Sequence, residues 1–245
     1  MKKIIFAVGA VVASLAAPAF AADLPVKAPP LAPIVAAPFW TGFYAGVNVG
    51  YSWGKADSEA RLNGALIFTD SLDVNGVIGG GQIGYNWQTG NFVLGVEADF
   101  QGSGQKGDKT STFSFVVPGI GTLVETAPYE NKLTYLGTVR GRLGYAFSNW
   151  LIYATGGWAY GHEELEGVAT IGAVTAPFSF STNRSGWTAG AGVEMAFNRN
   201  WSWKAEYLHV DLGDWNIVSS SALGTSIQTV NFTDNIVRLG VNYRF

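Results

Sequence analysis

The segment 236–245 alternates apolar and polar side chains without a break, and no other feature constrains the fold of this chain as strongly. Successive side chains of a β-strand point to opposite faces, so a strict period of two predicts a strand whose two faces differ. One face is apolar and carries Val237, Leu239, Val241, Tyr243 and Phe245. The opposite face is polar or small and carries Arg238, Gly240, Asn242 and Arg244. We therefore expect this strand to separate two different environments.

Seven further segments alternate in the same way. The connections between the segments are alternately long and short. The segments begin near Phe43, Val77, Phe92, Leu133, Ile152, Trp187 and Trp201. The long connections cover about 54–74, 102–131, 161–183 and 213–233. Stretches within them, such as 112–116 and 227–230, also alternate, so we expect strands to continue there as hairpins above the membrane. Tilted strands of about ten residues cross an apolar membrane band of ~25 Å. The pattern predicts an all-β chain that folds as an eight-stranded antiparallel up-and-down transmembrane β-barrel.

The volume of the barrel decides which face points outward. A soluble barrel or sandwich of the lipocalin kind would turn the apolar face inward, but the interior of eight strands is just wide enough for side chains to fill. It has no room for dozens of apolar residues that include many Trp, Tyr and Phe side chains. The other face is mainly Gly, Ser, Thr and Asn with a few charges, which suits a narrow interior. We therefore expect lipid on the outside.

The composition agrees with a lipid-facing surface. Hydrophobic residues make up 48% of the chain and charged residues only 13%, against about 25% charged residues in soluble domains. Beyond the N-terminal apolar run, no window approaches the length of a transmembrane helix. The net charge of −3 argues against nucleic-acid binding, and the absence of cysteine excludes disulfides, thiolate metal sites and a lipoprotein anchor.

Two segments precede the predicted barrel. Residues 1–21 are predicted as a secretory signal peptide, because Lys2 and Lys3 precede an apolar run and a small-x-small cleavage site that ends at Ala21. Residues 22–38 contain five prolines and are predicted as an extended periplasmic linker. The β-barrel is predicted over residues 39–245.

Aromatic side chains flank the three short, polar connections. They are Trp87, Phe92, Phe147, Trp150, Phe197 and Trp201. Aromatic rings favour the headgroup level of a membrane, so these residues are predicted to form an aromatic girdle. Short turns at one end and long loops at the other predict that both ends of the barrel chain are periplasmic and that four long loops are extracellular.

The opening and closing motifs of the barrel resemble those of a known family. FWTGFYAGVNVGY at 39–51 and RLGVNYRF at 238–245 are similar to the small outer-membrane surface proteins of alphaproteobacteria, a porin-like or OmpA-like family of major surface antigens. The resemblance covers residues 39–245. It implies an eight-stranded barrel, envelope integrity and surface exposure, with porin or haem-binding activity claimed for some members. It also implies that the barrel-assembly machinery reads the last strand, with a signal formed by Val241, Tyr243 and Phe245.

Charged residues on the predicted inner face form the candidate functional site. They are Glu97, Asp99, Arg140, Arg142, Glu194, Lys204, Glu206, Arg238 and Arg244. Counting from the short turns predicts four pairs at matching heights, Glu97 with Arg142, Asp99 with Arg140, Glu194 with Lys204 and Glu206 with Arg238. Buried charges are tolerated only when they are paired and hydrogen-bonded. A structural plug of ion pairs is favoured over a selectivity lining, because channels of useful width need 16 to 18 strands.

Enzymatic and cofactor-binding functions have weak support in the sequence. After the predicted signal peptide the chain has two histidines, His162 and His209, and Ser219–Ser221 are conceivable nucleophiles, but no recognised catalytic motif joins them. Haem or metal binding has little support, because Met195 is predicted to face lipid, cysteine is absent and the two histidines lack chelating spacing. Loop tyrosines such as Tyr129 could contribute, but nothing in the sequence marks a site. We predict no catalytic residue, no cofactor and no metal site.

The sequence therefore predicts a structural outer-membrane protein that contributes to envelope integrity and displays its loops as a surface antigen or interaction surface. A narrow passive porin is the alternative, followed by a haem-binding surface protein or an outer-membrane lipid hydrolase. The predicted partners are outer-membrane lipid and lipopolysaccharide, the barrel-assembly machinery, and a host or environmental ligand at the loops.

Overall fold

The computed structural model describes residues 39–117, 121–171, 173–221 and 224–245. The predicted signal peptide (1–21) and linker (22–38) lie outside the described residues. The described chain forms eight β-strands: β1 Gly42–Leu62, β2 Ala65–Thr89, β3 Phe92–Val117, β4 Gly121–Phe147, β5 Trp150–Ile171, β6 Val174–Ala196, β7 Trp201–Ser221 and β8 Gly224–Arg244.

The eight strands form one closed antiparallel ring. Each strand pairs with the next strand in the chain, and β1 pairs with β8 from Tyr44 opposite Arg244 to Leu62 opposite Ser226. Closure leaves the sheet without an unpaired edge. The predicted eight-stranded up-and-down topology is confirmed. Within the described part of the chain, no helix is long and apolar enough to cross a membrane.

The strands are about twice as long as a membrane crossing needs. They contain 21 to 27 residues, whereas about ten residues of a tilted strand suffice. The connections predicted as long loops are mostly strand: β1 and β2 stay paired up to Leu62 and Ala65 and turn at Asn63 and Gly64. Both turn residues have positive φ, which Gly adopts freely and Asn tolerates. At this end the barrel continues as four β-hairpin extensions.

The alternation sorts side chains between the outside and the inside of the barrel. Val241 and Tyr243 on β8, and Phe245 directly after it, point outward and are 40%, 37% and 77% exposed. The intervening Arg238 and Asn242 point inward and are buried. The outer surface is apolar and the interior is polar at this level, which is the reverse of a soluble barrel. The prediction that the apolar face points outward is confirmed.

Candidate functional site

Eight charged side chains meet in the middle of the barrel interior. We call this group the lumenal cluster, which consists of Glu97, Asp99, Arg140, Arg142, Glu194, Lys204, Glu206 and Arg238. Each of the eight residues is at most 6% exposed. Four carboxylates face four cations, so the cluster as a whole is neutral. This balance matters because an unpaired charge in a narrow interior would be strongly destabilising.

Arg140 and Arg238 hold three carboxylates together at the centre of the cluster. Arg140, on β4, donates hydrogen bonds to Glu97, to Asp99 Oδ2 at 2.8 Å and to Glu206 Oε1 at 3.1 Å. Arg238, on β8, places Nη2 2.9 Å from Asp99 Oδ2 and Nε 2.7 Å from Glu206 Oε2. These two guanidinium groups therefore connect β3, β4, β7 and β8 across the interior.

Lys204 and Arg142 extend the cluster toward the short-turn end of the barrel. Lys204 Nζ lies 2.9 Å and 3.0 Å from the two carboxylate oxygens of Glu97. Arg142 Nη2 donates to Glu194 Oε2 at 2.8 Å, and its guanidinium carbon lies 3.9 Å from the ring centroid of Tyr153. The ring face adds a cation–π contact to the ion pair.

Two tyrosines that were not predicted as site residues donate further hydrogen bonds to the carboxylates of the cluster. Tyr44 Oη donates to Glu97 Oε2 at 2.7 Å and accepts a hydrogen bond from Arg142 Nη1 at 2.8 Å. Tyr153 Oη donates to Glu206 Oε1 at 3.0 Å. Since each carboxylate oxygen can accept more than one hydrogen bond, these hydroxyl groups donate to oxygens that Lys204 and Arg140 also reach.

Two glycines make room for these tyrosine rings. Gly84 lies opposite Tyr44 on the β1–β2 ladder, and Gly192 lies opposite Tyr153 on the β5–β6 ladder. A Cβ atom at Gly84 would lie 2.4 Å from the Tyr44 ring, and one at Gly192 would lie 2.5 Å from the Tyr153 ring. The sequence signal for both tyrosines was an aromatic residue at an inward position, paired with glycine on the next strand.

The structure corrects the register predicted between β3 and β4, although both predicted ion pairs form, with 2.8 Å between Arg140 and Asp99 and 3.6 Å between Arg142 and Glu97. Glu97 lies opposite Arg140, and Gly95 lies opposite Arg142, a difference of two residues from the predicted register. Strands of a tilted barrel are staggered, so counting from the turns does not give the register across a long connection. As a result, Arg142 has its nearest carboxylate partner on β6, at Glu194.

The registers around β7 agree with the predicted heights, but one side chain bonds elsewhere. Glu206 lies opposite Arg238 and is bonded to it, as predicted. Glu194 lies opposite Lys204, yet Lys204 Nζ reaches across the interior to Glu97. Register alone therefore does not identify the partner of a long side chain in so narrow a lumen.

Arg244 stands outside the lumenal cluster. Its guanidinium carbon lies 4.6 Å from the Trp40 ring and 5.3 Å from the Phe39 ring, and it donates a hydrogen bond to the Phe39 carbonyl oxygen. No ion pair among the described residues includes Arg244. Its predicted place in the ion-pair network is therefore corrected to a contact with the aromatic residues that precede β1.

An apolar layer fills the interior on the hairpin side of the lumenal cluster, and it was not anticipated from the sequence. Its buried members are Ala56, Leu72, Val74, Ile78, Leu133, Leu136, Ala159, Leu208, Val210, Leu212, Phe232 and Ile236. Several of them, such as Leu72 and Phe232, fall in segments predicted as loops. They point inward because strand pairing continues into the hairpins. The interior is therefore filled at two successive levels, first by ion pairs and then by apolar side chains.

Comparison with known proteins agrees with this architecture. The family model of the outer membrane protein beta-barrel domain matches residues 7–245. The chain belongs to this family. It is 39% identical to the 31 kDa outer-membrane immunogenic protein of Brucella melitensis, over 100% of both chains. It is 30% identical to the 22 kDa outer membrane protein of Rhizobium leguminosarum, over 87% of this chain and 82% of that protein.

As a member of the outer-membrane β-barrel family, the protein spans the outer membrane with its strands. Short turns of such barrels face the periplasm, and long connections face the outside of the cell. The turns at 90–91, 148–149 and 197–200 are therefore periplasmic, and the four hairpin extensions are extracellular. The predicted location and the resemblance to alphaproteobacterial surface proteins are confirmed.

The residues predicted as an aromatic girdle lie on the outer surface beside the periplasmic turns. Their exposed fractions are 56% for Trp87, 60% for Phe92, 43% for Phe147, 61% for Phe197 and 45% for Trp201, and Trp150 is half-buried. Trp201 packs edge-to-face on Tyr243, with 5.1 Å between ring centroids, and Tyr243 packs on Phe245 at 5.2 Å. The end of β8 is thus part of the same aromatic surface.

The residues weighed as catalytic candidates do not converge on one site. His162 stacks on Tyr135 with 5.4 Å between ring centroids, and His209 lies 5.5 Å from the ring of Trp187. Both histidines are on the outer face, near the extracellular aromatic residues. The side chains of Ser219–Ser221 lie outside the described residues. Within the part of the chain that the structure describes, no group of three or more His, Asp or Glu residues is placed to hold a metal ion.

Proposed function

We propose that the protein is a closed structural wall of the outer membrane, which contributes to envelope integrity and presents its four hairpins at the cell surface. The observation that carries this proposal is the filled interior. The lumenal cluster ties the strands together across the barrel, and the apolar layer lies directly on its extracellular side. Ions cross an apolar constriction poorly because it excludes water. A closed wall is therefore favoured over a narrow porin.

The proposal includes three kinds of partner. The apolar outer surface and its flanking aromatic residues suit the acyl chains and headgroups of outer-membrane lipid and lipopolysaccharide. The exposed apolar side chains of Val241 and Tyr243 on β8, together with Phe245 directly after it, suit recognition by the barrel-assembly machinery. The hairpins would meet host or environmental ligands. The name of the Brucella relatives, outer-membrane immunogenic proteins, supports surface display.

We further infer that this role is not enzymatic. The two candidate bases each pack against an aromatic ring on the outer surface, His162 against Tyr135 and His209 against Trp187. A general base needs a nucleophile within hydrogen-bond reach and a third group that orients it. Among the described residues neither histidine has a serine or threonine hydroxyl as a hydrogen-bond partner. Their surroundings support a place in the extracellular aromatic belt.

A gene deletion in the source bacterium, complemented with the wild-type chain, tests the proposed role. Loss of a structural wall should raise sensitivity to SDS and vancomycin, because both enter through defects in the outer membrane. The influx of a small hydrophilic β-lactam should stay unchanged, and complementation should restore resistance. A deletion strain with normal SDS resistance and reduced β-lactam influx would instead identify a porin.

A further inference from the structure

A cavity of about 800 Å³ lies between the inner faces of the four extracellular hairpins. All eight strands contribute to its wall. Its floor is shared with the apolar layer, since Ala56 and Leu72 belong to both. Sites for one small molecule usually measure roughly 300–1,000 Å³. The cavity therefore has the size of a ligand site, and it is separated from the periplasm by the two filled levels of the interior.

Aromatic and apolar side chains face this cavity without being covered. Phe180 is on the inward face of β6, the face that also carries the buried Arg184, and yet it is 50% exposed. The Phe178 ring lies 6.0 Å from that of Phe180, and Trp215 and Ile217 line the wall formed by the next strand. Apolar surface that is left exposed in a concave site favours a ligand that covers it.

The charged groups around the cavity already have partners within the protein. Asp70 accepts hydrogen bonds from Lys109 and, at 3.0 Å, from Tyr129 Oη. Glu163 Oε2 accepts a hydrogen bond from Arg184 Nη1 at 2.8 Å. Each of these four charged groups therefore has its counter-charge within the protein and needs none from a ligand. A charged ligand would lose its hydration here without gaining an ion pair.

Uncharged polar groups complete the wall. The side chains of Ser58, Thr182 and Gln228 line the cavity, and within the described chain none of the three makes a side-chain hydrogen bond. Hydroxyl and amide groups can both donate and accept hydrogen bonds. They suit a ligand that offers one neutral polar group.

We propose that this extracellular cavity binds one uncharged, largely apolar or aromatic small molecule that carries a single hydroxyl or N–H group. The aromatic wall would cover the body of the ligand, and the neutral polar side chains would pair with its polar group. Because the interior beneath the cavity is filled, the ligand is held at the cell surface and does not pass to the periplasm. This binding activity goes beyond the structural role proposed above.

Two fluorescent probes with the same skeleton test this proposal. N-phenyl-1-naphthylamine is neutral and aromatic, carries one N–H group, and fluoresces more strongly in apolar surroundings. 8-Anilinonaphthalene-1-sulfonate has the same rings and N–H group with an added sulfonate. With the purified protein in lipid nanodiscs, and with empty nanodiscs subtracted, we expect saturable binding of one neutral probe per barrel. The sulfonate should bind at least about tenfold more weakly.

A matched pair of substitutions locates the binding. Ala169 lines the cavity, whereas its neighbour Val168 is on the outer face and is 36% exposed. Ala169→Trp should weaken binding of the neutral probe by at least about tenfold, and Val168→Trp should change it by less than about twofold. If circular dichroism shows that Ala169→Trp does not fold, Ala60→Trp fills the cavity from β1 instead. Equal binding of the two probes, or unchanged binding in the folded cavity-filling variant, would overturn the proposal.

Discussion

At the scale of single residues, the stability of the barrel is most sensitive to the buried charges. Each carboxylate of the lumenal cluster receives hydrogen bonds from at least three donors; those to Asp99, for example, come from Thr138, Arg140, Arg238 and Gln101. Such a network is stable only when it is complete, since removing one partner leaves the others buried without a counter-charge.

Arg140→Met is expected to destabilise the barrel strongly. The substitution keeps most of the side-chain volume but removes the cation that Glu97, Asp99 and Glu206 share. Breaking a buried ion pair costs about 3–5 kcal/mol. The free energy of unfolding can be measured by urea titration in lipid vesicles. Lys132→Met is the control, because its pairs with Glu130 and Glu166 are exposed to solvent and contribute little. Equal losses in both variants would contradict the assigned network.

Tyr129, at the extracellular cavity, should titrate well above an ordinary tyrosine. Burial, and then the hydrogen bond to Asp70, raise its pKa from 10.0 to about 12. The folded state holds the proton more tightly than the unfolded state, so this contribution to stability is present below pH 10 and is lost as the pH rises from 10 through 12. The difference in absorbance at 295 nm between the wild type and Tyr129→Phe isolates this group. If the titration assigned to Tyr129 by this difference had its midpoint near pH 10, the buried hydrogen bond to Asp70 would be contradicted.

At the scale of elements, β8 shows how one strand separates lipid from the lumen. Its outward side chains include Val237, Leu239, Val241 and Tyr243, and its inward side chains include Arg238 in the centre of the lumenal cluster. A shift of the ladder by one residue would move every apolar side chain to the lumen, so the register is strongly specified. The same logic applies to each strand that crosses the membrane.

A lysine on the outer face of β8 should lower the free energy of unfolding more at the middle of the membrane than near the periplasmic end. Leu239 is 58% exposed among apolar neighbours, whereas Tyr243 packs within the aromatic surface near the periplasmic end. A lysine at the middle of the bilayer costs about 2–4 kcal/mol, and one near the interface costs about 0–1 kcal/mol. Leu239→Lys should therefore lower the free energy of unfolding more than Tyr243→Lys does. Similar losses at the two positions would contradict the assigned depth of the strand.

The alternation was sufficient to predict eight strands, their antiparallel order and the outward direction of the apolar face. It also indicated, from stretches such as 112–116 and 227–230, that strands continue as hairpins above the membrane. It did not give their full length, because pairing also continues through segments such as 54–62, whose residues read as a polar loop. The apolar layer was missed for the same reason. Leu72 and Phe232 belong to segments read as loops, and only strand pairing in the hairpins brings them together inside the barrel. The pairing of Glu97 with Arg140 depends on barrel stagger, which a single strand does not reveal.

At the scale of the whole molecule, the barrel interior changes character along its axis. Ion pairs occupy the centre, an apolar layer lies on their extracellular side, and the cavity between the hairpins opens beyond that layer. The outer surface changes in the opposite order along the axis. It is apolar at the level of the ion pairs, where it meets lipid, and it is more polar along the hairpins. The stability of the wall and the display of the hairpins therefore depend on separate parts of the same eight strands.

Single-channel recording from the purified, folded protein in a planar bilayer tests the central claim that the interior is closed. Folding is verified by the change in electrophoretic migration on heating, and recordings are made in potassium chloride, sodium chloride and potassium acetate. We expect no reproducible conductance steps, because ion pairs and an apolar layer fill the lumen at successive levels. Stable steps with a consistent ion preference would contradict a closed wall and would make the lumenal cluster the lining of an ion path.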